Sequence, residues 1–376
     1  MQSLVHKSID GNKFSTGFLR VTKKLSRSSV SDASHVQPEA HFAGHMIHHD
    51  GSLGTTKPAS TSFTIAHLSD PHLSRQYYRE HIKSFKILLR TILDHGCDHF
   101  VITGDIVSTG DPDDYYLARK ILTTFGLMDS KKLTIVPGNH DVFGGPHRAV
   151  DVLSFPRHIR TVDYHRRLAL FEEAFAETFV GVKQLNGGCL FPFVKEVGPY
   201  AIIGLNSIPP WSLWDNPLGS NGMLSDDQIT ALVQLQGSEE FRGSVPLVAI
   251  HHHFNDLNDT SIENNLWRNI ESKTMRMKKR RKILKLFTML GVQVVLHGHV
   301  HRNELYEQHG LRLANGAGAV CDDPVNMLKY NRLTYADGKT AIEINTLPIA
   351  FQTPSTALSF HHFRSVEPLP QVAQLS

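Results

Sequence analysis

Five apolar runs in this chain stop abruptly at side chains that can hold a cation or move a proton. They end in Asp70 and His72, in Asp105, in Asn139 with His140 and Asp141, in His251 to His253, and in His299 with His301. Neutral imidazoles and carboxylates suit first-row divalent metals, and an aspartate can bridge two ions through its two oxygens. Cysteine is absent from every junction, so the mixed nitrogen and oxygen set favours a hydrolytic metal pair over an iron–sulfur or structural zinc site. A bridging carboxylate holds two cations about 3.5–4 Å apart, close enough to clamp both sides of a phosphoryl transition state. One cluster alone could be a capping pair or a hydrogen-bonded turn. A folded core has no reason to aim five such clusters from successive strand ends.

The elements that must position these residues can be read from hydrophobic patterning. Residues 63–68, 100–103, 133–136, 245–250 and 292–296 are short continuous apolar runs, the pattern of buried strands, and ligands of α/β sheets bind at strand ends. Helical periodicity covers 80–95, resumes after Asp111-Pro112-Asp113-Asp114, and returns from Leu168 to Phe179. Residues 200–205 form a further strand, followed by Asn206-Ser207 and a proline-containing loop whose Trp211 and Trp214 either meet substrate or pack on the core. More strands are expected in 312–319 and 340–344, and the stretch 143–200 reads as an irregular insertion.

Composition bounds the rest. The 376 residues, 40% of them hydrophobic, suffice for one large α/β domain or two smaller ones. A formal net charge of +3 gives no reason to expect nucleic acid as the main partner. The three cysteines, Cys97, Cys189 and Cys321, form no Cys-x-x-Cys pair, which fits a reducing compartment. No run of about 18 apolar residues and no apolar signal core are present, so the expected location is cytoplasmic. Residues 1–60 are basic and Ser-rich without apolar periodicity and read as a poorly ordered extension, in which His35, His41, His45, His48 and His49 are read as solvated side chains in preference to weak metal binders. The domain is expected over 61–354, with 355–376 a tail.

Taken in order, Asp70-x-His72, Gly104-Asp105, Gly138-Asn139-His140-Asp141, the run His251-His252-His253 and Gly298-His299-x-His301 resemble the motif set of the calcineurin-like metallophosphoesterases, over roughly residues 63–318. The resemblance implies an α/β (α+β) fold, a four-layer αββα sandwich with a dinuclear metal site at one end of its sheets. It implies that Asp70, His72 and His301 hold one ion, that Asn139, His299 and one histidine of the 251–253 run hold the other, and that Asp105 bridges them. His251 is the expected ligand of that run because it is first off the strand. His252 is the rival, and His253 is expected behind the ligands or facing solvent. His140 is implied as the catalytic group that stabilises the phosphoryl oxygens or protonates the departing alkoxide, with Asp141 orienting its ring and a metal-held hydroxide attacking. The implied cofactors are two divalent ions, with Mn, Fe, Zn, Ni and Mg all compatible with the ligand set.

Within the family, the Asp70-Pro71-His72 block, the stretch from Gly104 to Gly110 and Gly222-Met223-Leu224 are most similar to bacterial phosphodiesterases, including class III cyclic-nucleotide phosphodiesterases. Phosphodiester hydrolysis is therefore the expected activity. The alternatives are a lipid pyrophosphatase of the UDP-diacylglucosamine type and a non-catalytic metal-binding scaffold.

Residues 268–287 carry Arg268, Lys273, Arg276, Lys278, Lys279, Arg280, Arg281, Lys282 and Lys285, with Met275, Ile283, Leu284 and Phe287 as an apolar side. A basic amphipathic helix is expected there. It is either a solvated face or a surface for an anionic partner, whether a phosphorylated small-molecule or lipid substrate or, at the periphery, an acidic membrane.

Overall fold

The computed structural model describes residues 62–147, 149–238, 241–255, 275–301, 303–316, 319–320 and 327–348. The expected extension at 1–60, the tail at 355–376, Arg268, Lys273 and Cys321 lie outside the described residues.

The first half alternates strand and helix: β1 (Phe63–Leu68), α1 (Arg79–Asp94), β2 (His99–Ile102), α2 (Pro112–Thr124) and β3 (Leu133–Ile135). Such alternation yields parallel strands, and β1, β2 and β3 pair in parallel. Three helices follow, α3 (Asn139–Phe143), α4 (Ala149–His158) and α5 (Tyr164–Ala174), then β4 (Lys183–Asn186), β5 (Cys189–Val197) and β6 (Tyr200–Gly204). The stretch 143–200 is thus largely regular, a correction to the irregular insertion expected from the sequence. Pro192 hides β5 from a pattern reading; the strand tolerates it because its pairing with β6 begins only at Phe193, opposite Gly204.

The remaining described elements are α6 (Asp226–Gln234), β7 (Val245–Ala249), α7 (Arg280–Met289), β8 (Val294–His297), β9 (Asn303–Gln308), β10 (Leu311–Gly316), β11 (Met327–Ala336) and β12 (Lys339–Pro348). Two sheets result, in the orders β12-β11-β1-β2-β3 and β4-β5-β6-β7-β8-β10-β9. Period-two patterning divides the second sheet's side chains between two cores. Ile202, Leu247, Ala249, Val294 and Leu296 join β1, β2, α1 and α2 residues such as Ile65, Phe100, Phe85 and Ile121. Their neighbours Ile203, Val248, Ile250 and Val295 pack instead with Leu232 of α6 and Phe287 of α7. The architecture is therefore helices, sheet, sheet, helices.

Among the described residues of the basic segment, which begin at Met275, the helix starts at Arg280. Before it, Met277 bridges Gly222 in a parallel pair, with Gly222 N–H bonded to the Arg276 carbonyl and Lys278 N–H to the Gly222 carbonyl. That extended pairing competes with helix formation, and it buries Met277 rather than the Met275 expected on the apolar side. Ile283, Leu284 and Phe287 are buried as expected.

Candidate metal centre

The carboxyl ends of β1, β2, β3, β7 and β8 deliver Asp70, Asp105, Asn139, His251 and His299. Backbone bonds continue past the strands and fix the loops against one another. Asp70 N–H donates to the Gly104 carbonyl (3.1 Å), His72 N–H to the Asp105 carbonyl (3.0 Å) and Gly298 N–H to the His251 carbonyl (2.9 Å). Two further bonds cross between the sheets: His299 N–H donates to Asp70 Oδ2 (3.0 Å), and His251 Nδ1 meets the Thr103 carbonyl at 2.8 Å. Because a carbonyl only accepts, Nδ1 of His251 carries the hydrogen and Nε2 is the free donor atom.

The turns needed for this are tight. Asp70, His72, Asp105 and His299 all adopt positive φ, between 43° and 73°, which non-glycine residues adopt rarely. The glycines before Asn139 and His299 serve close approach: a Cβ at Gly138 would overlap the Asp105 carboxylate, and one at Gly298 would overlap Ser69 Oγ and Asp70 Oδ2.

Around these turns donor atoms converge. Among the described residues, three groups of candidate ligands have atoms within 4.8 Å of one another: Asp70 with His72 and His301, His72 with Asp105 and His140, and Asp105 with His251 and His299. His72 Nε2 faces His301 Nε2 at 3.1 Å, and Asp70 Oδ1 lies 3.8 and 3.6 Å from these two nitrogens. His251 Nε2 faces Asn139 Oδ1 and His299 Nδ1, each at 3.1 Å, with Asp105 Oδ2 at 3.4 Å. Lone pairs pointed at one another repel unless a proton or a cation sits among them, so the donor set fits two divalent ions.

Protonation follows from burial and these neighbours. Burial, aided by neighbouring histidines, holds His72 and His299 well below the usual imidazole range, which keeps them neutral as metal ligands must be. His251 behaves oppositely in the metal-free chain. Burial pulls it down, but the Asp105 charge and hydrogen bond outweigh this and raise it to about 9. Asp105 stays well below the usual carboxylate range despite burial, because His251, His140 and His72 surround it.

His140 is half-buried beside this group, its ring 4.6 Å from that of His72 in an edge arrangement. Its backbone N–H donates to Asp105 Oδ1 (2.8 Å), and its Nδ1 faces the Ser108 carbonyl at 3.4 Å. Asp141 does not face the ring. Its two oxygens accept from the Val107 and Gly138 N–H groups at 3.0 and 2.8 Å, so it ties together the loops that carry Asp105 and Asn139. Burial and repulsion from Asp105 raise Asp141 to about 7, against the pull of those two bonds. The orienting contact expected of Asp141 therefore comes from Ser108. That residue lies in the Gly104–Gly110 motif, but it acts through a backbone carbonyl, which has no side-chain signal in a sequence.

His252 turns away from the centre. Its Nδ1 pairs with Ser207 Oγ at 2.8 Å and its Nε2 with the Ser220 carbonyl at 3.2 Å. His253 is buried, not solvent-facing, and its ring stacks on His299 with centroids 5.8 Å apart. Trp211 donates its indole N–H to the Pro217 carbonyl and packs beside the core of Val142, Phe143, Ile159 and Ile208, whereas Trp214 is exposed. No helix among the described residues is long and apolar enough to cross a membrane.

Comparison with known proteins adds sequence and fold likeness to this geometry. A family model described as calcineurin-like phosphoesterase matches residues 63–303. The chain is similar to a component of the nuclease SbcCD of Escherichia coli (strain K12), 30% identical over 99 residues, and the match takes in 24% of this chain and 24% of that relative. It thus spans about a quarter of the curated relative's length. The crystal structure of a dimetal phosphatase from Danio rerio superposes with a TM-score of 0.51 over 76% of this chain and 98% of that one. Its sequence identity is 12%, so that likeness is one of fold.

Proposed function

Because the chain belongs to the calcineurin-like phosphoesterase family, we propose that it is a two-metal phosphohydrolase whose substrate is a phosphodiester. Asp70, His72 and His301 would hold one ion, Asn139, His251 and His299 the other, with Asp105 shared. The observation that carries this reading is the position of Asp105, which belongs to candidate ligand groups on both sides of the centre. For the choice within the histidine run, His251 is favoured because His252 has both ring nitrogens committed to Ser207 and Ser220. The preference for diesters rests on the motif likeness around 70–110 and 222–224, and on a relative that is named as part of a nuclease.

Divalent ions bound there supply Lewis-acid charge for the phosphoryl oxygens and lower the pKa of water. The chain's own contribution is to aim the substrate and move a proton. His140, held by Ser108 at Nδ1, presents Nε2; when that nitrogen carries a hydrogen it can donate it to the departing alkoxide. Asp141 keeps the two loops in register, so that Asn139 and His140 remain on the same side as Asp105.

Hydrolysis of bis(p-nitrophenyl) phosphate and p-nitrophenyl phosphate with added manganese tests the reading. The diester is expected to turn over faster, and chelator to stop both reactions. His140→Ala should lower kcat by about 100-fold or more with metal content unchanged, and Asn139→Ala should lower metal content as well. No turnover of either ester by a folded, metal-loaded sample would sink the enzymatic reading; a faster monoester would sink only the diester preference.

A further inference from the structure

Leu213 and Trp214 stand 64% and 87% exposed at the tip of the loop after β6. Tryptophan normally buries most of its large surface, so an exposed Leu–Trp pair is unusual on a monomer. The tip is fastened to the basic segment that enters α7. Lys278 Nζ donates to the Trp214 carbonyl (3.3 Å) and to Asp215 Oδ1 (2.7 Å), while Gly222 pairs with Met277 further along the same loop. Arg276, Lys279, Arg281, Lys282 and Lys285 are all exposed on that segment. Among the described residues, no carboxylate forms an ion pair with any of these five.

The cations are placed against local electrostatics. Lys279 is the N-cap of α7, Arg280, Arg281 and Lys282 form its first turn, and no acidic residue is present there. The amino end of a helix already carries partial positive charge, so cations at that end destabilise the helix that holds them. Burial of Ile283, Leu284 and Phe287 anchors α7 instead. An apolar tip beside an uncompensated cationic face matches a surface that is itself apolar beneath an anionic layer.

We propose that this face, Leu213 and Trp214 together with Arg276, Lys279, Arg281, Lys282 and Lys285, docks on an anionic lipid bilayer. The two apolar side chains enter the interface, and the basic side chains meet the headgroups. Nucleic acid would satisfy the charge but offers no apolar phase for Leu213. The proposal is independent of the hydrolytic reading, and its test does not depend on turnover.

The full chain is sedimented with phosphatidylcholine vesicles that contain or lack phosphatidylglycerol. The expected result is uptake on the anionic vesicles, loss of uptake at high salt and little uptake on neutral ones. A Lys279→Glu/Arg281→Glu/Lys282→Glu variant should lose partitioning by about tenfold or more, and so should a Leu213→Ser/Trp214→Ser variant. Both substitute exposed positions, and thermal midpoints no lower than that of the wild type would verify that they remain folded. Brominated lipid should quench wild-type fluorescence more than that of Trp214→Phe. Equal uptake on neutral and anionic vesicles, or full uptake by either multiple variant, would overturn the proposal. So would duplex DNA binding without any vesicle uptake.

Discussion

His140 can occupy its position only because residue 145 has no side chain. A Cβ on Gly145 would overlap Cε1 and Nδ1 of the imidazole and push the ring off the Ser108 carbonyl. Gly145→Ala is therefore expected to lower kcat by about tenfold to 100-fold, since a misplacement of about 1 Å can cost that much, while metal stoichiometry stays as in the wild type. Parallel measurement of bound metal and kcat checks it; an unchanged kcat would show that His140 tolerates displacement. A second expectation concerns His251. Held at about 9 by Asp105 in the metal-free chain, it is protonated at neutral pH and must lose that proton to bind a cation. Metal binding should therefore release a proton, and apparent affinity should rise with pH up to about 9, visible as acidification when manganese is added to a weakly buffered sample. Because the folded pKa is raised, the Asp105–His251 pair stabilises the metal-free fold below the unfolded value of about 6.5, and this contribution is lost as pH rises through about 9. In His251→Ala the metal-free fold should lack that loss, as denaturant midpoints across the same range would show.

Elements were legible in proportion to how purely local their signals are. The runs that became β1, β2, β3, β6, β7 and β8 are continuous apolar stretches, and their polar endings marked the candidate ligands; the periodicity of α1 and α2 was equally plain. What escaped were elements whose identity depends on partners. The strand β5 contains Pro192, and β11 alternates half-buried with buried residues that are explained only by β1 and β12 on either side. The left-handed turns at Asp70, His72, Asp105 and His299 have only a weak residue signature, since Asp and His adopt positive φ more readily than most non-glycine residues but neither type requires it. Lys195 of β5 is another case. Its ammonium is buried between the carbonyls of Leu133 and Thr178, joining β5 to the start of β3, and burial pushes it down to about 7. With the folded pKa depressed, the unfolded chain binds the extra proton between about pH 7 and 10.5. The full penalty is present below pH 7 and is relieved as pH rises across that interval. Urea unfolding of wild type and Lys195→Met should therefore diverge with pH, the wild type gaining about 2 kcal/mol relative to the variant between pH 7 and 9. A pH-independent difference would mean that Lys195 remains charged in place.

Across the whole molecule, the candidate metal centre is a junction between the two sheets. Asp70, His72, Asp105 and Asn139 follow strands of the five-stranded sheet, whereas His251, His299 and His301 follow strands of the seven-stranded one. Each proposed ion would therefore be held from both sheets, Asp70 and His72 opposite His301 in one case and Asn139 opposite His251 and His299 in the other. Bound metal should act as a cross-link as well as a catalyst. The folded chain holds four residues in left-handed turns, at a cost of order 1–3 kcal/mol each, and brings the facing ring nitrogens of His72 and His301 to 3.1 Å, where their lone pairs repel unless a proton or a cation lies between them. A ligand that binds only the folded state at about 100 times its Kd adds roughly 2.7 kcal/mol of stability. Manganese should thus raise the thermal midpoint of the chelator-treated protein by several degrees for each site filled. Asp105→Asn, which keeps an oxygen for the His140 N–H but weakens the shared bridge, should show a smaller rise, and from a lower starting midpoint at neutral pH because the Asp105–His251 pair is lost. Scanning calorimetry with metal content determined on the same samples checks both. An identical midpoint with and without bound manganese would mean that the sheets are locked together by their apolar core alone, and that the left-handed turns at the strand ends are already stable without an ion.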